Sequence, residues 1–366
     1  SIGEQVMTKA AELAKMGEVL TNSQIGGRRN IFINGAMNVA QRATSATGLG
    51  ASTGYFTVDR WETSMTTSGR FTMSQVASGL NGFGNAMKLD CTTADTSIAS
   101  DEFLIVMQKL EGQDLQQLKK GTSDAEQVTI SFYAKVVGSS TDVVFNLVDS
   151  DNGRLVSKLF TLTTSWARYY WNVPADTTGA FNDDNAKSLT LQIFLHAGSD
   201  YSSGTVQTTW GSNTTANKGA GVDSFFSSTD NEFFLTGVQM EVGSQATPFE
   251  HRSFGEESQL CKRYFHKTGG SAYCNIGTVT NFTSGAMLGP YKHPVEMRSA
   301  PSVTKSGDWA VLGGDTTVGQ TAVSSDSNTK VSEIGFNGGS GGTSGRSATL
   351  RFNNDANAYL HWDAEL

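Results

Sequence analysis

Val128, Ile130, Phe132, Ala134 and Val136 alternate with Thr129, Ser131, Tyr133 and Lys135. A period of two sends the two sets to opposite faces of an extended chain, so residues 128–136 predict a half-buried strand. The same reading gives strands over 143–148, 155–162, 167–173, 189–195 and 233–242, with turn residues between them. Asp151, Asn152 and Gly153 fall between two of these runs and predict a hairpin. One helical turn is expected after Glu111, where Leu115 and Leu118 sit three apart. The pattern is that of an antiparallel β-sandwich over residues 30–252.

The first 29 residues have a different period. Val6, Leu13 and Leu20 lie seven apart with Ile2 and Met16 on the neighbouring row, a heptad seam that predicts an oligomerising helix over 1–29, ended by Gly26 and Gly27. Such a helix is marginal alone, so the seam implies association between copies. Residues 253–267, with Glu256, Glu257, Cys261, Lys262 and Arg263, read as a charged connector able to hold a short helix. A second, C-terminal β-sandwich-like domain is expected over 268–366, with strands near 273–279, 286–288, 302–305, 310–312, 347–352 and 358–362. A Gly/Ser-rich loop is expected over 335–345.

Composition agrees with a mainly β chain: 40 glycines and 10% aromatics fit short strands joined by many turns. The net charge of −8 offers no field to draw in a phosphate backbone, so nucleic acid is not an expected partner. No stretch of about eighteen apolar residues predicts membrane insertion. Cys91, Cys261 and Cys274 are odd in number and lack CxxC spacing, so buried free thiols are expected rather than disulfides or zinc.

Several segments carry a resemblance. NIFINGAMNVAQR at 30–42, GYFTVDRWE at 54–62 and FFLTGVQMEVGSQATPFEHRSFGEE at 233–257 resemble segments of tail-fibre and related structural proteins of tailed bacteriophages. VTISFYAKV at 128–136 and WARYYWNVPADTTG at 166–179 look like the jelly-roll of the same family, itself similar to carbohydrate-binding modules. The second domain resembles the C-terminal halves of such fibres more loosely, in KHPVEMRSAPSV at 292–303 and the terminal DAEL.

The resemblance implies a non-enzymatic virion protein that attaches to a host-surface glycan or other receptor. It also implies a homotrimer, other phage tail proteins as partners, and a receptor-binding tip in the distal domain. A structural calcium is implied at Asn34 and Glu241, although Ala36 and Met37 stand where such modules often carry an acidic residue. Two other readings stay open: a carbohydrate-binding module serving a polysaccharide enzyme, and a capsid fibre or spike with a purely structural role.

Sugar rings bind by stacking their apolar faces on flat side chains, with a few polar groups fixing orientation. Trp61, Trp166 and Trp171 lie in alternating runs and are expected in the core or in inter-strand pairs. Tyr201, Trp210 and Trp309 sit among Gly, Ser, Thr, Asn and Asp in segments read as loops; with Asp308 they are the expected glycan-binding residues. No catalytic residue is expected: Ser340 lacks the strand and helix of a nucleophile elbow, and the five histidines share no metal-binding spacing. The acidic and amide residues at 149–153 fit a hairpin better than a calcium loop.

Overall fold

The computed structural model describes residues 29–283, 286–312, 322–324, 327–337 and 344–366. The heptad residues Ile2, Val6, Leu13, Met16 and Leu20, and Ser340 in the glycine-rich loop, lie outside them. The protein is mainly β. Contacts group the chain into two units: one takes the described part of Ser1–Met37 with Ser45–Gly54 and Glu62–His251, the other Asn38–Thr44, Tyr55–Trp61 and Arg252–Leu366. Each is described in turn.

The strands of the first unit begin with β1 (Ser45–Leu49), β2 (Glu62–Thr66), β3 (Arg70–Ala77), β4 (Asn85–Thr93), β5 (Phe103–Glu111) and β6 (Val128–Val137). They continue with β7 (Asp142–Asp149), β8 (Arg154–Thr161), β9 (Ala167–Val173), β10 (Lys187–Ala197), β11 (Gly211–Ser212) and β12 (Glu232–Val242); the short helix α1 (Ser199–Ser202) follows β10. They form two antiparallel sheets, ordered β1-β3-β4-β12-β6-β9 and β11-β8-β7-β10-β5-β2. The sheets face each other through Phe132 of β6 and Phe145 of β7, stacked with centroids 4.2 Å apart, and Phe160 of β8 meets Phe132 edge-on at 5.1 Å. Offset and edge-to-face rings of this kind add to the burial of their area.

The strands expected at 128–136, 143–148, 155–162, 167–173, 189–195 and 233–242 are β6 to β10 and β12, and the hairpin joins β7 to β8 with Gly153 at φ 63°. The turn after Glu111 is a 3-10 helix over Gly112–Leu118 that buries Leu115 and Leu118. Residues 30–42, expected to start the strands, contain none. Side chains, with the backbone bonds Ile31 N to Met240 O and Val238 N to Gly35 O, replace the ladder there. Asn30 Oδ1 accepts from Phe32 N and Met240 N, its Nδ2 donates to Val238 O, and the Gln108 amide bonds both Ile33 N and Ile33 O. A Cβ on Gly35 would stand 2.0 Å from Val238 O, so this close approach admits only glycine.

The second unit holds α2 (Phe254–Lys262), β13 (Phe265–Gly269), β14 (Asn275–Thr283), β15 (Ala286–Lys292), β16 (Ser302–Ser306) and β17 (Trp309–Leu312). After these come β18 (Ala322–Ser324), β19 (Val331–Asn337), β20 (Ser347–Phe352) and β21 (Tyr359–Asp363). They form sheets ordered β13-β21-β16 and β17-β20-β14-β15-β19-β18 around a core that includes Met287, Trp309, Leu350, Phe352, Leu360 and Trp362. The connector does hold a helix: Ser253 and Glu256 close a reciprocal capping box on α2. Residues 335–337, read as the start of a loop, end β19 instead.

Arginines from three segments hold the C-terminus of this unit. Arg60, at φ 72° and 1% exposed, pairs with Glu365, itself 5% exposed, and lays its guanidinium 3.4 Å from the centroid of Tyr264. Arg42 meets Asp363 at 3.0 Å and Glu365 at 3.4 Å, while Arg298 donates to Ala364 O and Glu365 O. Burial is the largest influence and acts to pull the Arg60 pKa down, but Glu365, Tyr264, Tyr55 and Cys261 together outweigh it and hold the pKa above the ordinary value. Asp59 beside it accepts from Gln41 N at 2.9 Å. Burial pushes its pKa up to about 6 against the opposing pull of Gln41 and Arg42. The VDRW and DAEL segments therefore have a structural role within one unit.

Candidate functional site

Alternation along β5, β7 and β10 divides the β11-β8-β7-β10-β5-β2 sheet into two faces. Leu104, Val106, Phe145, Leu147, Leu191 and Ile193 point into the sandwich, while Ile105, Met107, Val144, Asn146, Gln192 and Phe194 share the outer face. A surface sheet would meet water there. Here residues 198–222, which leave β10 through α1, cross that face. Ile105, Met107, Val144 and Phe194 form a buried cluster with Phe103, Ala197, Tyr201 and Val222 packed on it. The crossing chain comes close at Gly219, where a Cβ would stand 2.6 Å from Ala197 Cβ.

The neighbouring part of this face is polar. Gln192, Asn146 and Ser157 are partners across β10, β7 and β8, a single register row. Gln192 Oε1, Asn146 Oδ1 and Ser157 Oγ are buried atoms with no hydrogen-bond partner in the protein. Asn146 cannot turn its amide to hide the oxygen, because Nδ2 donates to Lys218 O at 2.9 Å. Leaving a buried polar atom unpaired costs about 1–3 kcal/mol, so three in one row form a polar layer that water or ligand hydroxyl groups would satisfy. Lys218, Gln207 and the ion pair of Lys109 with Glu62 (2.6 Å) surround the row. Burial, helped by Lys187, holds the Lys218 pKa below its ordinary value.

Two of the expected binding residues lie on this crossing segment. Tyr201 is half-buried, its ring 5.0 Å from Phe103 and 6.0 Å from Phe194, where it seals the apolar end of the face. Trp210, also half-buried, donates from Nε1 to Pro174 O at 2.9 Å and carries Lys120 Nζ 5.6 Å from its ring centroid. That lysine is tied down by Asp149 at 2.6 Å and Asp176 at 3.1 Å, with the carbonyls of Thr178 and Gly179.

The other two belong to the second unit, and there one expectation needs correction. Trp309 is not a loop ring open to sugar. It is 1% exposed in β17, set edge-on to Phe352 at 4.4 Å, with Nε1 donating to Ser306 O. Asp308 before it is exposed, its backbone held by Asp355 and Asn353. Trp166, expected in the core or a strand pair, is half-buried with Lys135 Nζ 5.5 Å from its ring centroid.

The residues proposed for calcium do not fit it. Both Glu241 oxygens accept from protein donors, Oε1 from Gln239 Nε2 and Thr247 N and Oε2 from Thr247 Oγ1, and Arg29 Nε stands 3.5 Å away. Calcium takes six to eight oxygens, and a guanidinium at the carboxylate opposes a second cation. Asn34 is fully buried at φ 57°. Among the described residues no group of three or more His, Cys, Asp or Glu is placed to hold a metal.

No family model matches the chain, and neither does any curated protein. Solved structures resemble it at low identity. One is the enzymatically active domain of tailspike protein 4 of bacteriophage CBA120, with 9% identity, TM-score 0.31, and coverage of 58% of this chain but 21% of that one. The family 11 carbohydrate-binding module of Clostridium thermocellum, in complex with a β-1,3-1,4-mixed-linked tetrasaccharide, has 13% identity, TM-score 0.28 and coverage of 56% and 99%. A family 61 module in complex with β-1,4-galactotriose has 10% identity, TM-score 0.30 and coverage of 59% and 100%. Carbohydrate-binding modules and a phage tailspike domain are thus among the neighbours. At these scores none of them sets the family of this chain, whose site is described by its own residues.

Proposed function

We propose that this chain is a non-enzymatic phage virion protein of the tail-fibre kind, which holds a host-surface glycan on the outer face of β8, β7, β10 and β5. The observation that carries the binding site is the row of unpaired oxygens on Gln192, Asn146 and Ser157. Two amide acceptors and a hydroxyl that can donate or accept favour a ligand rich in hydroxyl groups over an anion. The half-buried rings of Tyr201 and Phe103 at the other end suit the apolar face of a sugar. The virion role is supported by the segments at 30–42, 54–62 and 233–257.

Gln192 is the half-buried member of the row, so its replacement is the mildest test. Gln192→Ala is expected to weaken binding of oligosaccharide from the host envelope about fivefold, the worth of one hydrogen bond of about 1 kcal/mol, with the melting temperature kept. Calorimetric titration reads it. An unchanged affinity in a folded variant defeats the placement.

Trimerisation belongs to the same proposal and rests on the seam of Ile2, Val6, Leu13, Met16 and Leu20. Light scattering across a dilution series is expected to show a trimer, and Leu13→Asp with Leu20→Asp to make it dissociate at higher concentration. A parent that stays monomeric throughout contradicts the fibre architecture.

A further inference from the structure

The second unit buries two histidines against each other. His266 on β13 and His293 just after β15 are 3% and 4% exposed, with Nε2 of the first 3.1 Å from Nδ1 of the second. The other nitrogen of His293, Nε2, lies 3.1 Å from Ser332 Oγ on β19, which lies 2.7 Å from Ser327 Oγ. Ser332 is fully buried and Ser327 half-buried, so the four side chains form a continuous path from the rim to the core. His266 stacks on Trp362 at 4.4 Å, and Trp362 on Tyr291 at 4.1 Å. The Trp362 Nε1 atom is buried with no hydrogen-bond partner.

A bond between two imidazole nitrogens needs one donor and one acceptor, so at most one ring can be charged; burial keeps both neutral, with a single direction of donation along the path. One further proton leaves an imidazolium that still donates to the other ring, and a second makes both facing nitrogens donors. The bond then becomes a repulsion inside an apolar core, where a charge is costly. The Asn328 backbone opposes it in part, acting to raise the His293 pKa without outweighing burial. Lys262 of α2 adds positive charge, Tyr291 of β15 is neutral with its pKa pushed up by burial, and the β19 side contributes Ser332, Ser327 and the Asn328 backbone. Burial, then His293, then Lys262 hold the His266 pKa down to about 3, and burial holds that of His293 below its ordinary value.

We propose that the path Ser327, Ser332, His293, His266 is an acid-sensing lock on this unit: protons entering from the Ser327 end charge both rings, break the contact between the histidines and release β13 and β15 from Trp362. Ser332 is sealed from solvent, so the path moves protons and does not attack a substrate.

The sign follows from proton counting. A histidine whose folded pKa lies below its unfolded value leaves the unfolded chain with more protons once pH drops below about 6.5, so stability present above that pH is lost as it falls. Each ring contributes up to about tenfold per pH unit to the opening equilibrium, about a hundredfold for two. Asp59 acts oppositely below about pH 6, because its raised pKa lets the folded state bind the extra proton there. The contribution of the histidines therefore has to be isolated by a variant.

Hydrogen exchange of the β21 amides in the full chain, corrected for intrinsic rate, is compared at about pH 7.5 and about pH 5 in the parent and in His266→Phe, which keeps a ring on Trp362. The opening equilibrium of the parent is expected to rise at least about tenfold more on acidification than that of the variant. An equal rise in both overturns the proposal. Should the variant not fold, imidazole NMR of the parent decides: His266 is expected to stay neutral in the folded chain down to about pH 5, and a folded-state midpoint near about 6.5 overturns the lock.

Discussion

Glu365→Ala is expected to destabilise the second unit by about 3–5 kcal/mol, because it leaves the buried Arg60 guanidinium without its counter-charge. Arg60 is 1% exposed and so cannot regain water without unfolding its surroundings. The same change removes one of the two acidic partners of Arg42. Urea unfolding of parent and variant measures the loss, with the midpoint expected to fall and the slope to stay the same. Replacing both members by apolar residues, Arg60→Met with Glu365→Leu, is expected to recover most of it, since a buried pair typically contributes little beyond its own desolvation. A loss below about 1 kcal/mol for Glu365→Ala contradicts the role given to the C-terminal clamp.

Trp309→Ala is expected to destabilise the same unit by about 3–5 kcal/mol through the cavity it leaves. The ring is packed on Phe352 within the cluster that includes Leu350, Leu360 and Trp362, and its N–H is satisfied by Ser306 O. Trp309→Phe keeps part of that volume and is expected to lose less. Thermal unfolding reads the stability of both variants, and glycan titration below the transition reads binding. Unchanged stability with lost binding restores Trp309 as a ligand residue. Lost stability with unchanged affinity agrees with a core residue and a site in the first unit.

β6 and β9 were legible because apolar and polar residue types alternate along them, even though Thr129 and Ser131 on the polar face of β6 are buried. β5 hid its period. Its outer residues Ile105 and Met107 are buried by the 198–222 segment just as Leu104 and Val106 are buried by the sandwich, so the sequence reads as one apolar run. Trp309 misled for a related reason, since β17 is four residues long and follows Ser306, Gly307 and Asp308, the composition of a loop. Tyr201 and Trp210 were found by their polar surroundings, which do mark the crossing segment. Gln192, Asn146 and Ser157 were not, because polar residues alternating in a strand ordinarily face water; only the register across three strands puts their oxygens in one row. The path between His266 and Ser332 likewise joins strands far apart in sequence, with no local spacing to reveal it.

The central claim is the place of the glycan, and amide and side-chain NMR shift mapping of the full chain with host-envelope oligosaccharide tests it directly. The largest shifts are expected at Gln192, Asn146, Ser157, Lys218 and Tyr201. Shifts confined to Trp166, Phe234 and Tyr133, or to the second unit around Asp308, contradict it.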